Sequence, residues 1–334
     1  MSIARSVAAI AGILGPALAG PPFLGPGRSP ADDTAREVRV VMGSTAEVRV
    51  GGLADPASAF DAAFAALARV DDTMSLWKDS ELTRLNDAGH GRVSPEVLAV
   101  LRHALDVARA SRGAFDPTIE PLVRATGGLG GPRRRLTASA RRALMARVGF
   151  TRVRIDLATG GVTLAPGTRL DFGGIAKGYA ADLALEALRG AGALRALVDL
   201  GESSIGTFGE DLAVEVRDPE QRRAPPWASF RVRDMAVSTS AGDQHPGHIL
   251  DPRTGLPSRG VLAATVVARA GIEADALSTA VYVLGAKEGL RLLEKRGAAG
   301  FVLERRNGRR SVRATRGFAR AYGLVTAPGV RSLE

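Results

Sequence analysis

The chain has no cysteine and few aromatic residues. Among its 334 residues, cysteine is absent, and Phe, Trp and Tyr together account for 4%. The absence of cysteine excludes thiolate metal sites, disulfide bonds and a lipid-modified N-terminal cysteine, and it is compatible with any cellular compartment. Because aromatic side chains are scarce, the two tryptophans, Trp77 and Trp227, are informative positions.

The charge is strongly positive, but its pattern is not typical of nucleic-acid binding. The net charge is +10, and the basic residues are mostly arginines scattered along the chain. The one dense run, GPRRRLTASARR at residues 131–142, predicts a loop that enters a helix. No zinc finger, base-stacking motif or basic-helix pattern is present. We therefore expect no nucleic acid as a partner, and an anionic ligand or a membrane surface as the counterpart of this charge.

The first 35 residues predict a leader and a linker. Residues 1–19 combine Arg5, a short apolar run and the small-residue end Ala17-Leu18-Ala19, which is the pattern of a secretory signal peptide. The apolar run is too short, and is interrupted by proline, to span a bilayer. Residues 20–35 predict a flexible linker, and residues 36–334 the folded domain. The prediction is export to the periplasm; a disordered leader on a cytoplasmic protein is the alternative.

Helices and strands are mixed along the rest of the chain. Alternating valines on both sides of a Gly-Ser turn predict a β-hairpin at residues 36–52. Helical spacing of apolar residues predicts helices at 55–75, 94–113, 137–149, 175–192, 273–285 and 287–297. Strands are predicted between them, with a closing hairpin around Asn307-Gly308. Because strands and helices do not alternate strictly, the pattern favours an α+β fold over a doubly wound α/β fold.

The segment LDFGGIAKGYAAD, residues 170–182, predicts a strand-to-helix turn. A P-loop would need Ser or Thr after Lys177, and the glycine spacing does not fit a dinucleotide fingerprint. Gly173 and Gly174 nevertheless let the backbone approach a ligand, and a helix N-terminus offers free amides to an anion. Lys177 would add a positive charge there. The alternative is a tight turn with a solvated lysine.

The segment EADALSTA predicts a helical face with oxygen ligands. Asp275 and Thr279 are four residues apart and so share a face of the helix, with Ser278 adjacent. A carboxylate and a hydroxyl at this spacing suit a hard cation such as Mg²⁺. The alternative is an exposed aspartate and a threonine that bonds back to its own helix.

Three further segments contain candidate residues. His248 precedes ILDPRTG and could be a general base or bind phosphate, or it could cap the turn. Asp116-Pro117-Thr118 follows a glycine that ends a helix. Trp77 stands beside a helix start that is rich in Ser and Asp, where it could stack on a planar ring or act as a partly buried packing residue.

Five segments, in their order along the chain, together resemble the ApbE family, the FAD:protein FMN transferases. They are MSLWKDSELTRLN, GAFDPTIEPLV, LDFGGIAKGYAAD, HILDPRTGLP and ADALSTAVYVLG, and the similarity extends from about Met42 to Gly285. The resemblance implies an Mg²⁺-dependent enzyme with FAD as substrate. Such an enzyme moves the FMN half of FAD, as a phosphodiester, to a Thr or Ser hydroxyl of a target protein and releases AMP.

The resemblance also implies roles for individual residues. Asp275, Thr279 and the backbone carbonyl of Gly174 would bind Mg²⁺, and Ser278 belongs to the same group. Asp171 and Lys177 would line the FAD site, with His248 in or near catalysis. The flavin and adenosine would be surrounded by Met42, Trp77, Ala114, Phe115, Asp116 and Ile249.

The implied architecture is T-fold-like, with two intimately packed α/β subdomains. The sequence departs from the family pattern at 124–135, at Glu202-Ser203 and at 241–243, where the acceptor groove and adenosine contacts are expected; the metal positions are retained. The implied partner is an acceptor flavoprotein subunit associated with a membrane. Two alternatives are an FAD pyrophosphatase, with water as the acceptor, and a flavin-binding protein without turnover.

Overall fold

The computed structural model describes residues 34–131, 134–201, 203–221, 224–242, 249–306, 308–328 and 330–333. The predicted signal peptide, most of the predicted linker and His248 lie outside the described residues.

The described residues form eight α-helices. They are α1 (Ala57–Met74), α2 (Glu81–Ala88), α3 (Pro95–Ala110), α4 (Glu120–Ala125), α5 (Ala138–Met145), α6 (Ala176–Gly190), α7 (Gly271–Arg296) and α8 (Phe318–Tyr322). Among these described segments, no helix combines the length and the apolar character needed to cross a bilayer.

The strands between the helices are mostly short. They are β1 (Thr34–Val41), β2 (Ser44–Gly51), β3 (His90–Arg92), β4 (Val153–Asp156), β5 (Gly161–Leu164), β6 (Arg195–Leu200), β7 (Ser204–Phe208), β8 (Asp211–Val216), β9 (Ala228–Arg233), β10 (Ala236–Ala241), β11 (Leu250–Asp251), β12 (Leu256–Pro257), β13 (Val261–Ala268), β14 (Ala299–Arg306), β15 (Arg309–Ala314), β16 (Val325–Thr326) and β17 (Arg331–Leu333).

A nine-stranded sheet organises the fold. Its order is β1-β2-β6-β7-β10-β13-β14-β15-β17, and all neighbours are antiparallel except β15 and β17. Three small sheets accompany it: β16-β9-β8, β3-β5-β4 and the pair β11-β12. The predicted α+β fold class is confirmed.

The central strand β13 is buried on both faces, which explains why all its residues except Thr265 are apolar. Ala264 and Val266 belong to a large core with α1, α3, α6 and α7. Ala263 and Val267 belong to a second core. Because successive residues of a strand point to opposite faces, the two cores lie on opposite sides of the sheet.

The second core is aromatic. Its members include Trp227, Phe230, Phe301 and Phe318, and their rings pack edge to face with centroids 5.2–5.6 Å apart. Such edge-to-face contacts stabilise beyond the area that they bury. This side of the sheet is the face away from α6 and α7. Its aromatic residues therefore serve packing.

Two local predictions need correction. The first hairpin forms as expected, but its turn is Met42-Gly43, because Val41 pairs with Ser44. Both turn residues have positive φ, 54° and 69°, as a two-residue hairpin turn requires. The helix α4 arises in DPTIEPLV, where no helix was predicted.

The two helices predicted at 273–285 and 287–297 are confirmed as two parts of α7. The backbone leaves the helical region at Gly285, with φ 74°. The amide of Ala286, which starts the second part, donates to the Glu304 Oε1 atom at 2.8 Å. The break separates the first part, which carries Asp275 and Thr279, from the rest of the helix.

Candidate active site

The N-terminal ends of α6 and α7 contact each other through glycines. A methyl group on Gly178 would lie 2.0 Å from the carbonyl oxygen of Gly271 and 2.7 Å from the Cβ atom of Asp275. Real Cβ atoms do not approach so closely, so only glycine permits this crossing. The crossing brings the predicted glycine-rich turn next to the predicted metal-binding face of α7.

Asp275 lies at the centre of this contact and is buried. Its Oδ2 atom accepts a hydrogen bond from the Gly178 amide at 3.0 Å, and its Oδ1 atom accepts one from the Ser238 hydroxyl at 3.3 Å. Burial raises the pKa of the Asp275 carboxyl to about 6, although the Gly178 amide and the charge of Lys177 oppose the shift. A buried carboxylate without a full counter-charge is a favourable place for a cation.

Thr279 lies one turn further along α7 and faces the glycine-rich turn. A methyl group on Gly174 would lie 3.0 Å from the Thr279 Oγ1 atom. The Ser240 hydroxyl of β10 is 3.3 Å from the Thr279 Oγ1 atom and 2.8 Å from the Ser278 Oγ atom. Ser278 is fully buried and also donates to the Asp275 carbonyl at 2.9 Å. The structure therefore brings Gly174 and Thr279 together and holds Ser278 inside the protein.

Lys177 and Asp171 flank the turn. The Lys177 ammonium donates to the Ser203 hydroxyl at 3.3 Å. The half-buried Asp171 accepts from the Gly173 amide at 2.7 Å, and its own amide donates to the Pro117 carbonyl at 2.7 Å. Burial, together with the charge of Glu120, raises the pKa of the Asp171 carboxyl.

The segment Ala114-Phe115-Asp116 is buried beside the turn. The ring of Phe115 would lie 3.4 Å from a methyl group on Gly174. Asp116 accepts from the Thr118 amide at 2.9 Å, the Thr118 hydroxyl at 2.6 Å and the Phe150 amide at 2.7 Å. Since internal donors reach both of its carboxylate oxygens, Asp116 orders the loop that carries Phe115.

A pocket of about 230 Å³ opens on the far side of Asp116. Its lining is Arg112, Gly113, Asp116, Met145, Val148, Gly149, Phe150, Thr151, Pro252 and Arg253. Arg253 also pairs with Asp251, at 2.8 Å from Nε to Oδ1. The predicted DPRTG turn and the predicted Asp-Pro-Thr segment therefore meet at one pocket.

Three other predicted ligand-binding residues lie at the surface or half-buried. Trp77 is 69% exposed, and its ring lies against Gly130, where a methyl group would be 2.6 Å from Cζ3. Met42 is half-buried in the hairpin turn, and Ile249 is half-buried, with its carbonyl accepting from the Ser258 amide at 3.0 Å. The exposure of Trp77 shows that its indole is not a core packing residue.

The family model for ApbE matches residues 42–302, which is most of the chain. The chain belongs to the ApbE family. The curated FAD:protein FMN transferase of Treponema pallidum is 31% identical over 291 residues, covering 77% of this chain and 80% of the relative. The enzyme of the same name from Klebsiella pneumoniae is 28% identical over 256 residues, covering 70% and 73%.

Solved ApbE structures share the fold. The apo flavinyl transferase ApbE of Pseudomonas stutzeri superposes with a TM-score of 0.78 at 28% identity, covering 87% of this chain and 97% of that one. The flavin transferase ApbE of Vibrio cholerae gives 0.77 at 25% identity, covering 87% and 99%.

The donor set of this ApbE-family chain is compatible with a hard divalent cation. The Asp275 carboxylate, the Thr279 hydroxyl and the backbone of Gly174 offer oxygen atoms, which Mg²⁺ prefers, and leave positions for water and phosphate. Within the described ranges, no group of three or more His, Cys, Asp and Glu side chains could hold a metal. A cation here would therefore have one protein carboxylate as a ligand, together with uncharged hydroxyl, backbone and water oxygens.

Ser238, Ser240 and Asp182 are residues of this site that the sequence did not reveal. Ser238 and Ser240 are alternate residues of β10, so both face α7, and they bond to Asp275, Ser278 and Thr279. The alternation in VSTSA was a signal for one polar face of a strand. The alternation does not identify the element that this polar face contacts.

Proposed function

We propose that this ApbE-family chain is an Mg²⁺-dependent FAD:protein FMN transferase. It would transfer the FMN half of FAD to a Thr or Ser hydroxyl of a target flavoprotein, releasing AMP. The observation that carries the proposal is the convergence of Gly174, Lys177, Asp275 and Thr279 at the crossing of α6 and α7. That convergence combines a helix N-terminus, a lysine and hard oxygen donors, which are the groups that a pyrophosphate substrate requires.

The proposed cation site consists of Asp275, Thr279 and the carbonyl of Gly174. When bound, Mg²⁺ would neutralise charge on the FAD pyrophosphate and stabilise the charge that develops during transfer. Asp275 keeps its Oδ2 atom on the Gly178 amide, so its side chain is held in one orientation. Ser240 holds the Thr279 hydroxyl in a similar way.

The other residues would bind and orient the nucleotide. Lys177 neutralises phosphate charge, and Gly173 and Gly174 leave room for the phosphates against the backbone. The acceptor hydroxyl oxygen attacks the phosphorus of the FMN half, the bond from that phosphorus to the oxygen of AMP breaks, and AMP leaves with that oxygen. The hydroxyl proton passes to a base, a role proposed for His248 from its place in the sequence.

We also propose that the enzyme acts after export, on a flavoprotein subunit at a membrane. The support is the sequence of residues 1–19, with its Arg5, short apolar run and Ala-x-Ala end. N-terminal sequencing of the protein from its native host tests the proposal. A mature N-terminus at or near Gly20 supports export, whereas an intact Met1 or Ser2 in the cytoplasmic fraction contradicts it.

The proposed activity is tested by incubating the protein with FAD, Mg²⁺ and a peptide of the type Asp-x-x-Thr-Gly-Ala-Thr, followed by intact mass analysis. We expect an FMN adduct on the peptide and one AMP for each adduct. A peptide with Val in place of both Thr residues is the control and should remain unmodified. Free FMN and AMP without adduct would identify a pyrophosphatase, and unchanged FAD a flavin-binding protein.

A further inference from the structure

Two glycines and two aspartates form a reciprocal contact between α6 and α7. The Gly178 amide of α6 donates to the Asp275 Oδ2 atom of α7 at 3.0 Å. In return, the Gly271 amide of α7 donates to the Asp182 Oδ1 atom of α6 at 2.6 Å. Each helix thus supplies one glycine amide and one carboxylate. We call Gly178, Asp182, Gly271 and Asp275 the Gly–Asp clasp.

The same pattern occurs in both segments of sequence. Residues 178–182 are GYAAD and residues 271–275 are GIEAD, so each reads Gly-x-x-Ala-Asp. In a helix, the glycine and the aspartate four residues later share a face. The alanine before each aspartate, Ala181 or Ala274, is buried. Two such helical segments can therefore pack face to face, with the aspartate of each helix opposite the glycine of the other helix.

The two aspartates of the clasp have different partners. Asp275 retains its Oδ1 atom for Ser238 and the proposed cation. Asp182 uses its second oxygen on the Ile272 amide at 2.9 Å, so both of its oxygens bond the first turn of α7. Asp182 therefore caps α7 from the neighbouring helix, in a place where Ala270 offers no side-chain cap.

The clasp fixes the distance between the two halves of the site. Lys177 and Gly174 are next to Gly178 on one side of it, and Asp275 belongs to the other side. The two helices cannot slide without breaking three hydrogen bonds at 2.6–3.0 Å or separating the glycine backbones. A shift of the helices would change the position of Asp275 relative to Gly174 and Lys177.

We propose that Asp182 is a positioning residue for transfer: by holding the first turn of α7 against α6, it sets Asp275 at the geometry that the cation and the pyrophosphate require. Asp182 touches neither substrate nor cation in this role. The inference rests on the proposed function and deepens it, because it names the contact that joins the phosphate-binding helix to the cation-binding helix.

Two variants perturb the clasp in different ways. Asp182→Asn keeps the size of the side chain but removes one acceptor and the charge. Gly178→Ala changes no charge but places a methyl group where it would meet Gly271. An effect common to both is thus geometric rather than electrostatic. Ser94→Ala is the matched control, because Ser94 caps α3 and neither helix of the clasp, by accepting from the Val97 amide at 3.3 Å.

The measurements are the melting temperature, the kcat and FAD KM of transfer, and the binding of Mn²⁺ alone, followed by loss of the free-ion EPR signal. For both clasp variants we expect the half-saturating Mn²⁺ concentration to rise and kcat to fall, each by about 10–100-fold, as is typical when partners of metal ligands are removed. The FAD KM should change little. Ser94→Ala should lower the melting temperature but leave Mn²⁺ binding and kcat as in the wild type.

The outcomes separate this inference from the proposed function. Folded Asp182→Asn protein that binds Mn²⁺ and transfers FMN like the wild type overturns the positioning role and leaves the transferase proposal intact. The positioning role is also overturned if Asp182→Asn lowers only the melting temperature, as expected for Ser94→Ala, and leaves Mn²⁺ binding and kcat unchanged. A wild-type protein that binds no Mn²⁺ and modifies no peptide overturns the proposed function itself. If Gly178→Ala does not fold, Asp182→Asn still decides the test.

Discussion

Without a bound metal, the buried charge of Asp275 lowers the free energy of unfolding. Its carboxyl has a pKa of about 6 in the folded protein, against an ordinary value of 3.8, because burial disfavours its charged form. Between pH 4 and 6 the folded protein therefore binds more protons than the unfolded chain, so the free energy of unfolding falls as the pH rises through this window. The loss amounts to about 3 kcal/mol above pH 6, and a bound cation would reverse it.

We therefore expect Asp275→Asn to be more stable than the wild type at pH 7 without metal, and to transfer no FMN. Asparagine keeps the shape of the side chain but removes the buried charge and the charged ligand. Thermal unfolding at pH 5 and 7, with and without Mg²⁺, checks the stability. Rapid transfer by Asp275→Asn at ordinary Mg²⁺ would contradict the assignment of Asp275 to the cation site.

Ser240 offers a sharper test because the same strand supplies its control. Ser240 bonds Ser278 and Thr279, whereas its neighbour Thr239 faces the other side of β10 and lies 3.0 Å from the Thr265 hydroxyl. Ser240→Ala should slow transfer about tenfold or more, since the Thr279 hydroxyl loses its support. Thr239→Val should lose stability without slowing transfer. Equal transfer rates for the two variants would exclude a role for Ser240.

A partly buried ion pair connects the loop after β8 to β15. Arg310 donates to both oxygens of Asp218, each at 2.7 Å, and the Glu220 amide donates to the Asp218 Oδ1 atom at 2.9 Å. The hydrogen bonds from Arg310 lower the pKa of the Asp218 carboxyl to about 2. Because this pKa is depressed, the stabilisation is present above about pH 4 and is lost as the pH falls toward 2.

Asp218→Asn should accordingly lower the free energy of unfolding at pH 7 by about 2 kcal/mol and make it less sensitive to pH between 4 and 2. Urea unfolding at pH 7 and at pH 3 measures both effects. FMN transfer should be unchanged, because Asp218 follows β8 and Arg310 lies on β15, two strands whose Val216 and Val312 belong to the aromatic core. A parallel loss of transfer would show that the aromatic side of the sheet affects the site.

Local sequence signals predicted the elements but not their mutual contacts. The start of α3, the helix break at Gly285 and the first hairpin depend on neighbouring residues, and the sequence predicts all three. The turn at Met42 was missed because Met rarely adopts positive φ. Ser238 and Ser240 were missed because their partners in α7 are almost forty residues away. Asp182 could have been found from the repeated Gly-x-x-Ala-Asp pattern, but only by asking what each copy packs against.

The candidate site and the aromatic core lie on opposite faces of one sheet. The helices that carry Lys177, Asp275 and Thr279, and the turn with Gly174 before α6, lie on one face of β10 and β13. The core around Trp227 covers the other face. A ligand at α6 and α7 should therefore leave the environment of Trp227 unchanged.

The two tryptophans should report separately on these two faces. Trp227 is 1% exposed, with its ring centroid 5.5 Å from that of Phe301, whereas Trp77 is 69% exposed and follows Leu76, which packs against the larger core. In a Trp227→Phe variant, FAD should quench the remaining emission of Trp77, because stacking on a flavin ring requires an accessible indole. In a Trp77→Phe variant, the emission of Trp227 should be blue-shifted and should change little with FAD. Urea should then red-shift the Trp227 emission as the aromatic core unfolds.

If saturating FAD, verified by equilibrium dialysis, leaves the Trp77 emission unchanged, Trp77 is not at the flavin. Equal quenching of both single-tryptophan variants would contradict the prediction that only Trp77 lies at the flavin.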